Sequence, residues 1–147
     1  MLVLNNPDCR TLKLDSFVHP ASANKPGTLF RLNIAEWVPE FFPKGCPESY
    51  FITTMSDERA RRGAHSHPVG SKAEIFIMLS GRAHVELHSA KSCGAVILDT
   101  PDEALLIIPG VWHAITLEPN SLLMVYASLT MEEGREVNEL PCNCHKP

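Results

Sequence analysis

Residues 62–81 read Arg-Gly-Ala-His-Ser-His-Pro-Val-Gly-Ser-Lys-Ala-Glu-Ile-Phe-Ile-Met-Leu-Ser-Gly, and this stretch decides the fold. His65 and His67 stand two apart, so on a β-strand both imidazoles project from one face. Glu74 opens an apolar run, Ile75 to Leu79, that stops at Ser80-Gly81. About thirty residues on comes a second signal, Ile108-Pro109-Gly110-Val111-Trp112-His113. Two histidines and a glutamate on neighbouring strands, with a distant third histidine, describe a site inside a small β-barrel. Such a site either holds a metal or moves protons.

Working outward, 12 prolines and 8 glycines cut the chain into short segments, the pattern of an all-β sandwich or barrel. Residues 11–14 alternate and read as an edge strand. Phe30, Leu32 and Ile34 alternate as a second strand, whereas residues 19–28 have the composition of a loop. Phe41 and Phe42 read as a cap on the core or a subunit contact. Tyr50, Ile52 and Thr54 share one strand face. Arg59, Arg61 and Arg62 gather just before the paired histidines. Gly81 begins a tight hairpin into Ala83, Val85 and Leu87, whose opposite face, Arg82 to His88, reads as solvated. Residues 95–98, 104–108, 111–117 and 122–128 complete the strands. Thr130-Met131-Glu132-Glu133 has the form of a capping box opening one short C-terminal helix. Residues 140–147 read as a frayed tail; Cys142-x-Cys144-His145 within it has the look of a metal clip, but a lone one in a terminal tail is more often unstructured.

The totals bound the function. At 147 residues the chain has the size of one domain, and 44% hydrophobic with 20% charged residues is ordinary for a globular protein. A net charge of −4 argues against nucleic acid or an anionic membrane as partner. No apolar run reaches the roughly eighteen residues of a membrane span, and the start lacks a basic, signal-like region. A cytoplasmic location is expected, with the five cysteines reduced.

The two motifs together resemble those of the cupin superfamily: His-x-His, a Glu, six residues and Gly, then Pro, Gly and His. Glu74 and Gly81 keep the six-residue interval; the gap from His67 to Glu74 is longer than usual. The resemblance implies an all-β, single-domain cupin, a double-stranded β-helix or jelly-roll barrel. Its core would span about 11–130, with 131–147 a C-terminal helix or tail, and a homodimer is expected by analogy.

A longer match is narrower. Arg62-Gly63-Ala64-His65-Ser66-His67 is similar to the Arg-Gly-x-His-Ala-His of the WxcM-like sugar 3,4-ketoisomerases, and Leu98-Asp99-Thr100-Pro101, Trp112-His113 and residues 122–128 also resemble them. That resemblance implies a metal-free isomerase acting on a nucleotide-linked 4-keto-6-deoxyhexose, without cofactor. His65 and His67 would be the acid/base pair, Tyr50 a further catalytic residue, and Arg62, Trp112 and His113 substrate-binding residues. This chain departs from those enzymes in carrying Glu74 where they have Gln, and Phe51 where a second tyrosine is expected.

Two other readings follow from the residue types. His65, His67, Glu74 and His113 form a three-nitrogen, one-oxygen set for a divalent transition metal in a metal-dependent cupin. The chain could equally be a non-catalytic cupin that binds a sugar or another small ligand. Glu74 could instead pair with Lys72 or Arg82, and His113 could be a core histidine beside Trp112.

Overall fold

The computed structural model describes residues 9–13, 27–28 and 30–141. The cysteine-histidine tail motif and most of the 19–28 loop lie outside the described residues.

Among the described residues, nine strands and one helical turn follow in order: β1 Cys9–Lys13, α1 Ile34–Trp37, β2 Glu48–Thr53, β3 Ala60–His65, β4 Glu74–Ser80, β5 Ala83–His88, β6 Cys93–Leu98, β7 Glu103–Ile107, β8 Trp112–Leu117 and β9 Leu122–Ala127. They form a five-stranded sheet in the order β1-β7-β4-β9-β2 and a four-stranded sheet in the order β3-β8-β5-β6. Every pairing is antiparallel. This is the all-β cupin sandwich, a jelly roll whose chain crosses repeatedly between sheets.

The main core lies between the sheets, where Phe76, Met78, Val85, Leu87, Leu98, Leu105, Ile107, Ile115, Leu117, Leu123 and Val125 interdigitate. A second cluster covers the other face of the five-stranded sheet: Ile75, Ile77, Ala104 and Leu106 pack against Ile34, Val38 and Phe42. Both faces of β4 are therefore dry, which is why residues 75–78 are continuously apolar rather than alternating. Burial of Phe42 stabilises this cover by about 1.5–3 kcal/mol.

Four expectations change. Residues 34–37 are a helical turn and not the end of a strand, because Val38 N–H donates to the Ile34 carbonyl and the segment has no strand to pair with. Gly81, at φ +80°, makes a corner and not a hairpin: β4 and β5 lie in different sheets. The capping box forms, with Thr130 N–H donating to Glu133 and Glu133 N–H to Thr130 Oγ1, but it closes one turn only. The chain is instead drawn off as a strap, and Val137 exchanges two backbone hydrogen bonds with Ser66. Finally, Cys93 is disulfide-bonded, whereas Cys46 is a free thiol; one-dimensional spacing cannot tell which cysteines meet.

Candidate active site

Gly63 and Ala64 both have positive φ, +76° and +67°, and the β3–β8 register shifts between Gly63 and His65. This bulge re-aims the end of the strand. A Cβ on Gly63 would lie 3.0 Å from the His113 carbonyl oxygen, so the Arg-Gly-x-His motif has a steric reason. His65 ends β3 directly opposite His113 on β8. His67 follows Ser66, whose backbone pairs with Val137, so His65 and His67 flank one extended residue and their rings meet as the His-x-His spacing predicts, with centroids 4.9 Å apart. The Pro109-Gly110 turn holds this loop in place, since Gly110 N–H donates to the His67 carbonyl at 2.7 Å.

Glu74, first residue of β4, is the hub. One carboxylate oxygen, Oε2, lies 3.2 Å from His113 Nε2 and 3.5 Å from His67 Nε2. The other, Oε1, accepts a hydrogen bond from Tyr50 OH at 3.0 Å and pairs with Lys72 Nζ at 3.2 Å. Glu74 and His67 are each 3% exposed, His113 1% and Lys72 5%. Both buried histidines are oriented from behind: His67 Nδ1 faces the Arg135 carbonyl at 2.7 Å and His113 Nδ1 the Val111 carbonyl at 3.2 Å. A carbonyl only accepts, so each Nδ1 carries hydrogen and each Nε2 turns to Glu74.

Burial alone would raise the Glu74 pKa, but His113, His67 and Lys72 hold it far below the usual carboxylate range. Burial pulls the His67 pKa down, yet the Glu74 carboxylate and the Arg135 carbonyl bring it above the ordinary imidazole value. Burial, then the neighbouring His113, lowers His65. Burial, then Glu74, raises Tyr50, which stays a neutral phenol.

A cavity of about 260 Å³ opens onto the cluster, lined among others by Tyr50, Arg62, His65, Glu74, His113 and Glu136. Of the six residues expected at a proton-transfer site, four therefore face it: Tyr50, Arg62, His65 and His113. His67 does not line it and stands behind Glu74. Trp112, expected to bind substrate, lies elsewhere: its indole meets His88 edge-to-face at 5.2 Å and its Nε1–H donates to the Asn138 carbonyl. His88 is buried by that contact rather than solvated. Arg59 and Arg61 pair on the surface with Glu118 and Glu86. Sequence reasoning missed Glu136, whose Oε2 lies 3.7 Å from His65 Nδ1, because it sits on the strap beyond the last strand.

The residues also suit a divalent metal in type and spacing, since the ligand atoms of His65, His67, Glu74 and His113 all lie within 4.8 Å of one another. The carboxylate charge such an ion would neutralise is, however, already paired with Lys72.

A family model described as FdtA, WxcM-like, C-terminal matches residues 12–139. The chain belongs to this family. No match is found among curated proteins. Among solved structures, this WxcM-like chain is similar to a 3,4-ketoisomerase from Helicobacter canadensis, with 24% identity over 90% of this chain and 91% of that one and a TM-score of 0.69. It is also similar to the WlaRB TDP-quinovose 3,4-ketoisomerase from Campylobacter jejuni, with 25% identity, 87% and 92% coverage and a TM-score of 0.68. The sugar 3,4-ketoisomerase QdtA from Thermoanaerobacterium thermosaccharolyticum, in complex with TDP, matches at 20% identity, 91% and 90% coverage and a TM-score of 0.70.

Proposed function

We propose that this WxcM-like protein is a sugar 3,4-ketoisomerase acting on a nucleotide-linked 4-keto-6-deoxyhexose. The observation that carries the reading is His65, a cavity-facing imidazole whose pKa is lowered, so that it is a free base at neutral pH. It takes the proton from C3 of the sugar, leaving an enediolate. The O3 hydroxyl proton passes to O4 and a proton is returned to C4, so that the ketone stands at C3, a hydroxyl at C4, and no net proton is gained or lost. Such a positioned base contributes about 10²–10⁴-fold.

Tyr50, a neutral phenol on the cavity wall, turns its single O–H from Glu74 to the enediolate oxygen as charge develops there. His67 and His113 hold Glu74 from one side, and His113 also faces the sugar. Arg62 lines the cavity and has the planar fork that grips a diphosphate. At about 260 Å³ the cavity is smaller than the roughly 300–1,000 Å³ that encloses a drug-sized ligand, so the sugar ring enters and the nucleotide stays at the mouth. Were a divalent transition metal bound, His65, His67, Glu74 and His113 would hold it, and it would polarise the ketone as a Lewis acid.

The test is exchange of the C3 proton with deuterated water, followed by NMR on TDP-4-keto-6-deoxyglucose. Wild type exchanges and forms the 3-keto isomer; His65→Asn loses both. Equal behaviour of the two proteins sinks the reading, and tight binding without turnover makes the protein a sugar-binding cupin.

A further inference from the structure

We propose that Lys72 decides what the histidine cluster holds. Its ammonium takes the electrostatic place of a divalent cation and keeps the cluster a centre for protons. The inference deepens the isomerase reading and rests on it only for its consequence.

Four observations carry it. Lys72 and Glu74 are 5% and 3% exposed, and their 3.2 Å contact is a buried ion pair, so neither charge is spent on water. The lysine is also boxed in. Its Nζ sits 5.8 Å from the centre of the Tyr50 ring, and Gly134 of the strap packs on its stem, where an added Cβ would come within 3.0 Å of Lys72 Cδ. It has no room to swing its head out to solvent, as exposed lysines do.

Third, the two carboxylate oxygens are divided. Lys72 and Tyr50 occupy Oε1, whereas Oε2 is left to the two histidines. Fourth, both histidines present Nε2 to that oxygen with Nδ1 committed to a backbone carbonyl. Two imidazole lone pairs facing a carboxylate oxygen repel it, and His67 Nε2 has no hydrogen bond at all. Something positive must lie between them: a proton or a metal ion.

Lys72 tips this choice. With it, the Glu74 charge is already balanced, so a divalent ion would bring two positive charges beside a buried ammonium, with only the half-exposed Glu136 near His65 to offset them. A single shared proton brings one. Without Lys72, the carboxylate is unbalanced and the same four donors become a metal site.

The experiment is a titration of metal-stripped wild type, Lys72→Met and Lys72→Gln with Co²⁺, read by its visible absorption and by ligand-induced change in Tm. Wild type is expected to bind weakly, and both variants about 10–100-fold more tightly, the scale on which groups around a site alter metal affinity. Lys72→Met combined with Glu74→Gln should lose that gain. Equal affinity of wild type and the single variants overturns the proposal. Should the variants not fold alone, refolding with Co²⁺ recovers them if it holds and fails to if it does not. No turnover is read, so the two readings separate: C3 exchange in wild type without a gain in Co²⁺ binding rejects only the role of Lys72. A gain without exchange rejects only the isomerase.

Discussion

His65 is the imidazole least supported by its surroundings. His67 and His113 each have a carbonyl behind the ring, whereas His65 has the Glu136 carboxylate at 3.7 Å on one side and the cavity on the other. Its lowered pKa predicts that the acid limb of kcat/KM falls below the ordinary imidazole value near 6.5. Glu136 opposes that lowering, so Glu136→Gln should move the limb further down; an NMR titration of His65 checks the same shift without substrate. A limb that moves up contradicts the assignment. Tyr50→Phe removes the single O–H that Glu74 accepts in the free protein and that the enediolate would take in the reaction. A drop in kcat of about 10²-fold or more, with little change in KM, is expected from loss of one such donor.

At the scale of elements, the site depends on three irregular pieces: the β3 bulge, the Gly81 corner and the strap from residue 130 to 138. Gly81→Ala would place its Cβ 2.7 Å from Ser121 Cα and 2.9 Å from Ser121 Cβ, in a left-handed backbone conformation. Strain alone costs about 1–2 kcal/mol, so thermal melting should show a clear loss of stability. The strap behaves differently. Val137→Pro removes the N–H that Val137 donates to Ser66, which loosens Glu136 and the Arg135 carbonyl together. The sheets do not depend on that bond. Activity should fall on the order of 10²-fold while Tm changes little, since small misplacements of catalytic groups have effects of that size.

Over the whole molecule, the buried charges set how stability responds to acid. The folded pKa of Glu74 is depressed, so its contribution is present above the unfolded value of about 4.5 and is lost as the pH falls below it. His67, raised, contributes below its unfolded value of 6.5, and that contribution disappears as pH rises through its folded pKa; His65, lowered, acts in the opposite sense. Between about pH 5 and pH 3, Tm should therefore fall, and Glu74→Gln should flatten the fall. A wild-type Tm unchanged over that window would refute the buried ion pair. Among the described residues no helix is long and apolar enough to cross a membrane, which agrees with the absence of a long apolar run in the sequence.

What the linear chain determined by itself was the strand set and the identity of the cluster. Alternation such as Tyr50, Ile52 and Thr54, punctuated by Pro and Gly, is a local signal, and His65, His67, Glu74 and His113 stand out because such residues are costly to bury without a purpose. Tertiary structure alone decided which of them faces the cavity. It placed His65 on the cavity wall and His67 behind Glu74, because Glu74 and the Arg135 carbonyl take up both ring nitrogens of His67. It took Trp112 out of the site, brought Glu136 into it, and buried Lys72 against Glu74. Those outcomes depend on contacts between residues far apart in the chain, and on charges whose meaning changes once water is removed.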